Sequence, residues 1–301
     1  MMENRIEIQS LTKTYQRNHA LNDVSLSIGQ GMFGLLGRNG AGKTTLLKIL
    51  ATLLPKNSGT VTVCGVPMER AKEVRRMVGY LPQDFSMYPG MTVYEAMDYL
   101  GVLSDLDGPT RMKRIPELLG RVNLQDNSKT KVKALSGGMR RRLGIAQAIL
   151  HDPKVLIVDE PTAGLDPEER VRFRNLLCEL AENRIVLLST HIVGDIEASC
   201  EKIAILDEGK LLFTGQTSEL IETAENKVFT VSVLQKDLQT LKDNYLVTGM
   251  HMQKGEVLVR LLADDTPPPN AVLCSPTIED AYFFCMHKSG INKQLLGGEL
   301  S

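Results

Sequence analysis

The segment Gly37-Arg38-Asn39-Gly40-Ala41-Gly42-Lys43-Thr44 has the spacing G-x-x-x-x-G-K-[ST]. Glycines at these positions free the backbone N–H groups to wrap a phosphate, and a helix starting at the lysine adds the positive end of its dipole. Asn39, Ala41 and Thr45 complete the stretch that would hold a nucleotide. Lys43 is expected to reach its β- and γ-phosphates, and the Thr44 hydroxyl to hold Mg2+. Asp159-Glu160 closes the apolar run Val155-Leu156-Ile157-Val158. Carboxylates at the C-terminal end of a parallel strand stand where open α/β sheets bind ligands. Asp159 suits the metal, and Glu160 suits a general base for water. Leu135-Ser136-Gly137-Gly138-Met139 precedes a helix-like run, so its hydroxyl and free N–H groups make a second anion-binding terminus. On its own it reads as an ordinary helix cap. Beside a phosphate loop that already takes one nucleotide, it is expected to face a nucleotide held by another copy.

These groups need elements to position them. Met32-Phe33-Gly34-Leu35-Leu36, Val155–Val158 and Ile185-Val186-Leu187-Leu188 are short continuous apolar runs, the pattern of strands buried on both faces of a parallel sheet. Helical periodicity between them predicts an α/β domain. Ile6-Glu7-Ile8 and Val24-Ser25-Leu26-Ser27-Ile28 alternate apolar with polar and predict half-buried antiparallel strands. The stretch from about Met91 to Leu150 reads as an inserted helical subdomain. Asp207-Glu208-Gly209 between two apolar runs predicts a hairpin.

The character changes after about Thr217, so a domain over 1–217 and a small α+β domain over 218–301 are expected. In the second, Val228–Leu234 reads as a strand and Gln235–Asn244 as a short helix. Tyr245–Gln253 and Glu256–Leu262 read as strands joined through Lys254-Gly255. Pro267-Pro268-Pro269 is a stiff loop. Thr277-Ile278-Glu279-Asp280 opens a final helix, and the last dozen residues are expected to fray.

The chain has 301 residues, 43% hydrophobic and 24% charged, with 35 Lys plus Arg against 36 Asp plus Glu. A net charge of −1 gives no electrostatic footprint for nucleic acid. Arg140-Arg141-Arg142 does not restore one, because three consecutive helical residues point in three directions. The five cysteines form no C-x-x-C pair, which suits free thiols in a reducing cytosol. No apolar run approaches the roughly 18–20 residues of a membrane helix, and no signal-peptide core leads the chain. The chain is therefore expected to be soluble and not to span a bilayer.

Taken in order, the phosphate loop, Gln83, Leu135-Ser136-Gly137-Gly138, the strand ending Asp159-Glu160-Pro161, Ala163-Gly164-Leu165-Asp166 and Ser189-Thr190-His191 resemble the nucleotide-binding domain of the ABC ATPases. The resemblance covers about residues 4–217. It implies a P-loop NTPase fold of the ABC type, with a mixed sheet core, an antiparallel β subdomain and an inserted helical subdomain. It implies that Tyr15 stacks on adenine and that Gln83 touches Mg2+ and the attacking water. Ser136, Gly137 and Gly138 would contact the γ-phosphate of the other copy's ATP. Asp166 would link the two sites, and His191 would hydrogen-bond the γ-phosphate. Phe85-Ser86-Met87-Tyr88-Pro89 would line a groove for a permease helix. The C-terminal Pro276-Thr277-Ile278-Glu279-Asp280-Ala281-Tyr282 looks like the tail of ATPases that serve separately encoded exporters.

The resemblance implies a homodimer, or a pair with a related ATPase chain, peripheral on the inner face of the cell membrane and bound to a separate permease. A soluble ABC ATPase acting on ribosomes or nucleic acid is the alternative. It fits less well, because this chain has one such domain and no heptads. Met139 stands where the family usually has glutamine. The anion-binding groups are the serine and the glycines, so Met139→Gln is expected to change steady-state turnover by less than about tenfold, ~1.4 kcal/mol of barrier. A larger change would place the side chain itself in the reaction.

Overall fold

The continuous apolar runs become strands buried on both faces. In the computed structural model, which describes residues 4–16, 18–253, 255–264 and 266–288, Val155–Asp159 and Ile185–Thr190 are buried at every position. They run side by side in parallel, with Val78–Leu81 beside the first and Gly31–Leu36 beside the second. Lys202–Asp207 and Lys210–Gln216 extend this sheet to six strands on the Gly31–Leu36 side. Burying one aliphatic side chain is worth about 1.5–3 kcal/mol. Val155 to Val158 alone therefore contribute on the order of 8 kcal/mol, before the entropy of ordering the chain is subtracted.

The alternating segments form a second, antiparallel sheet. Ile6–Tyr15 lies between Asn18–Ile28 and Ser58–Val63, with Val66–Pro67 at the far edge. Ile6 pairs with Ile28 and Ile8 with Leu26, so the apolar members share the buried face. The stretch read as helical holds Val93–Leu103, Gly108–Arg121 and Gly137–Ala148. Thr92 and Glu95 start the first with a reciprocal capping box, the Thr92 hydroxyl accepting from the Glu95 N–H at 3.2 Å and the Glu95 carboxylate accepting from the Thr92 N–H at 2.8 Å. Asp107 caps the second by accepting from the Thr110 N–H at 2.7 Å.

Val78–Leu81 is too short and too glycine-weakened to announce itself in sequence, yet it carries the chain to Gln83. Its Gly79 marks a close approach: a Cβ there would stand 1.9 Å from the Ala148 carbonyl oxygen. Backbone cannot yield as a flexible side chain does. Gly79→Ala is therefore expected to destabilise the fold by about 1–3 kcal/mol, read as a lower denaturation midpoint. An unchanged midpoint would mean that the end of Gly137–Ala148 moves away freely.

The chain divides into two units, Met1–Cys200 with Ile205–Leu211, and Glu201–Ala204 with Leu212–Ser301. The division passes through Lys202–Asp207 and Lys210–Gln216, and the boundary read from sequence falls at the start of the helix Thr217–Glu222. In the second unit, the antiparallel sheet runs Leu246–Gln253, Glu256–Leu262, Val228–Val233, Val272–Leu273. Its core is Val231, Leu241, Val257, Val259, Leu261 and Ala263. The helix Leu238–Asn244 supplies Leu241. Ile278–Lys288 is the last helix of the described residues, entered by a reciprocal cap in which Asp280 accepts from the Thr277 N–H at 2.8 Å. Lys254 of the expected turn, and the dozen terminal residues expected to fray, lie outside the described residues. Among those described, no helix is long and apolar enough to cross a membrane.

Candidate active site

Gly31–Leu36 delivers the chain to a loop whose glycines adopt left-handed backbone, Gly40 at φ 83° and Gly42 at φ 105°. Gly42 also sits where a Cβ would meet the Ala20 carbonyl oxygen at 2.3 Å. The helix Lys43–Leu50 starts immediately after it. Lys43 is buried. Its Nζ donates to the Gly37 carbonyl at 2.6 Å and the Arg38 carbonyl at 3.1 Å, and lies 3.3 Å from Glu160 Oε1. Thr44 Oγ1 donates to Asp159 Oδ2 at 2.8 Å. The phosphate loop and the strand-end acids, 115 residues apart, thus form one site.

Asp159 is fully buried, and burial pushes its carboxyl above the usual range. The hydrogen bond from Thr44 and the charge of Lys43 oppose that rise, while the like charge of Glu160 adds to it. Glu160 has φ 46°, the left-handed region that costs a non-glycine residue about 1–3 kcal/mol and gathers at functional sites. Its N–H donates to the Ser189 carbonyl at 3.0 Å. Its Oε2 lies 2.7 Å from His191 Nδ1. A carboxylate only accepts, so Nδ1 carries a hydrogen in this contact.

Among the described residues, Asp159 Oδ1 is buried without a hydrogen-bond donor, while Glu160 Oε1 has only the Lys43 ammonium, at 3.3 Å. Buried carboxylate oxygens left so are costly unless a cation or water meets them. Mg2+ takes one or two carboxylates, keeps several waters and shares phosphate oxygens. The oxygens of Thr44, Asp159 and Gln83 fit that demand.

A cavity of about 770 Å3 opens over these groups, lined by Arg38, Asn39, Gly40, Ala41, Gly42, Lys43, Thr44, Thr45, Gln83 and Glu160. Asn18, His19, Ala20 and Glu208 line it as well. Sequence reasoning passed over these four, because strand and hairpin residues carry no motif. Tyr15 is 45% exposed and lies under the Lys13 ammonium at 5.2 Å, not in the cavity wall. Ser136 caps Gly137–Ala148, accepting from the Met139 N–H at 3.2 Å. Asp166 caps Pro167–Ala181, accepting from the Glu169 N–H at 2.9 Å. Neither cap, nor Gly137 or Gly138, lines the cavity of its own chain.

The three arginines diverge as helical geometry requires. Arg140 donates to the Leu135 carbonyl, Arg142 pairs with Glu169, and Arg141 donates to the carbonyls of Pro82 at 3.2 Å and Gln83 at 2.5 Å. Arg141 thus ties the helix capped by Ser136 to the segment that presents Gln83. Thr162 and Asp195 were also missed: the Thr162 hydroxyl donates to buried Asp195 at 2.5 Å, joining the loop after Glu160 to the helix after His191. Tyr80 is a third, its buried hydroxyl pushed up by burial and by the charge of Asp159. No spacing in the sequence announces these pairings.

Residues 21–163 match the ABC transporter family. The ABC transporter ATP-binding protein YxlF of Bacillus subtilis, itself uncharacterised, is 40% identical over 77% of this chain and 77% of its own length. This chain belongs to the ABC transporter ATP-binding proteins. The Nod factor export ATP-binding protein I of Cupriavidus pinatubonensis is 37% identical over 87% of this chain and 82% of its own. A dimeric ATP-binding cassette, solved after hydrolysis with ADP and Pi bound, superposes with a TM-score of 0.64 at 26% identity, covering 70% of this chain and 98% of that one. The fold is that of the ABC ATPases, and the chain is an ATP-binding, ATP-hydrolysing transporter subunit of this family.

Proposed function

We propose that two copies of this chain, or this chain and a related one, each bind MgATP at Lys43, Thr44 and Asp159 and drive export through a separate membrane permease. The observation that carries this reading is that Lys43, Thr44, Asp159, Glu160 and His191 form one connected cluster, with a buried Asp159 oxygen open to a cation. Lys43 and the backbone N–H groups of Gly40–Thr45 hold the phosphates. Thr44, Asp159 and Gln83 hold Mg2+, which when bound neutralises charge on the phosphate oxygens. Glu160 takes the proton from the attacking water, and His191 orients Glu160 and meets the γ-phosphate. Tyr15 offers its exposed ring to adenine. Ser136, Gly137 and Gly138, free of their own chain's cavity, close over the other copy's nucleotide, with Asp166 beside them. Most of the acceleration comes from positioning and charge, which these fixed groups supply.

The domain over 1–217 does this chemistry, and 218–301 is an accessory domain. Phe85–Pro89 receives the permease at the inner face of the membrane, where the chain sits peripherally. Tyr88 is 52% exposed, a surface suited to a partner. Export, rather than import, is favoured by the similarity to a Nod factor export protein across 87% of this chain.

The test is capture of the tagged Glu160→Gln chain with MgATP from native membranes in mild detergent. A stoichiometric polytopic membrane protein is expected. Recovery of ribosomes or DNA without one would sink the transporter reading.

A further inference from the structure

The sheet of the second unit has two edges, treated differently by the sequence. Val272–Leu273 is two residues long and follows Pro267-Pro268-Pro269, so it offers little backbone for another strand. Leu246–Gln253 is eight residues long and, among the described residues, pairs on one side only, with Glu256–Leu262. Its one irregularity lies between Val247 and Gly249; from Gly249 to Gln253 the register is unbroken. Natural edges are blunted with lysine, proline or inward charge. This one, Leu-Val-Thr-Gly-Met-His-Met-Gln, has none of them.

The apolar face also runs past its cover. Met250 stands opposite Val259 and Met252 opposite Val257, and residues directly opposite share a face. Val257 and Val259 are buried in the core at 3% and 0% exposure, whereas Met250 and Met252, on the same face at the free edge, are 52% and 63% exposed.

We propose that Leu246–Gln253 is a self-pairing edge, at which a second copy of this chain adds its own Leu246–Gln253 antiparallel about a two-fold axis normal to the sheet. Such an axis keeps the core faces of both copies on one side, so the exposed methionines of the two copies meet there. It sets residue i of one copy opposite residue j of the other and j opposite i, so an axis at His251 places Met250 of each copy opposite Met252 of the other. A charged segment would repel itself in that arrangement, and a neutral one does not. The uncharged run is what isologous pairing requires. Outward N–H and C=O groups, present at every second residue, supply the new ladder. The inference rests on the reading that two ATPase chains work as a pair, and it adds a contact that does not need nucleotide.

The experiment is sedimentation velocity on the full chain without nucleotide. Concentration-dependent self-association is expected. Met252→Lys, at an exposed site, is expected to weaken it by at least about tenfold, because it sets two like charges on one face diagonally across the seam. Met252→Thr, neutral and strand-favouring, is expected to keep it. Amide exchange, which needs no variant, is expected to slow across Leu246–Gln253 as concentration rises. A chain that stays monomeric overturns the proposal, as does association indifferent to Met252→Lys or exchange at Leu246–Gln253 that ignores concentration. If Met252→Lys loses a co-purifying permease while the chain stays monomeric, the edge belongs to the permease. MgATP-driven pairing of Glu160→Gln chains is read separately. Its failure would remove the two-site ATPase reading, whereas its survival alongside a monomeric nucleotide-free chain would remove only the edge.

Discussion

Replacing Glu160 by glutamine is expected to slow ATP hydrolysis by about a thousandfold while leaving ATP binding intact. Glutamine keeps the shape but cannot take a proton from water. Positioned bases are worth about 10²–10⁴ in rate, and this one is fixed by a strained backbone and by His191, so the middle of that range applies. Binding survives because the groups expected to hold phosphate, Lys43 and the loop N–H donors, are untouched. Lys43 also loses the carboxylate 3.3 Å from its Nζ, leaving two carbonyls and the incoming phosphate as its partners. The measurement pairs steady-state phosphate release with equilibrium binding of a fluorescent ATP analogue. Hydrolysis within tenfold of the parent would remove Glu160 from the role of base. Loss of binding with loss of rate would make it a structural counter-ion of Lys43.

Asp280→Ala is expected to cost the second unit about 1.5–3 kcal/mol, the range for hydrogen bonds to a charged group, since Arg260 at 27% exposure is left within reach of water. The Asp280 side chain is 1% exposed and accepts from Arg260 Nε at 2.9 Å and Nη2 at 2.6 Å. It accepts also from Thr248 Oγ1 at 2.6 Å and from the Thr277 N–H at 2.8 Å and hydroxyl at 2.7 Å. Burial alone would raise its pKa, but the donors from Arg260, Thr248 and Thr277 outweigh it and hold the carboxyl below the ordinary value. The folded-state pKa is therefore the lower one. The associated stability is fully present above the unfolded value of about 3.9 and is lost as pH falls below it. Hydrogen exchange resolved over the strand and helix segments of 228–288 would register both effects. Unchanged protection in the alanine variant would show that the cluster is ornamental.

Much of this was legible in the chain itself, for reasons that differ by element. Val155–Asp159 and Ile185–Thr190 were readable because burial on both faces forces unbroken apolar runs. The phosphate loop was readable because backbone wrapping a phosphate needs glycine at fixed places. Val78–Leu81 was not readable: four residues including a glycine carry no period, and its place is fixed by a carbonyl on a distant helix. Arg141 could be seen to leave its neighbours, but not to find the Pro82 and Gln83 carbonyls. That contact depends on how the helix Gly137–Ala148 lies against the strand end. Asn18, His19, Ala20 and Glu208 reach the cavity through the sheet and the hairpin rather than through any motif.

Both oxygens of Glu160 face a neighbour, an ammonium on one side and an imidazole on the other. With both oxygens engaged, neither is free to receive a water. Lys43 is a cation that arriving phosphate would compete for, and each step it takes toward phosphate loosens one side of the clasp on Glu160. The resting site therefore carries a safety catch set by charge: water alone leaves it engaged, and the anion to be cleaved is what releases it.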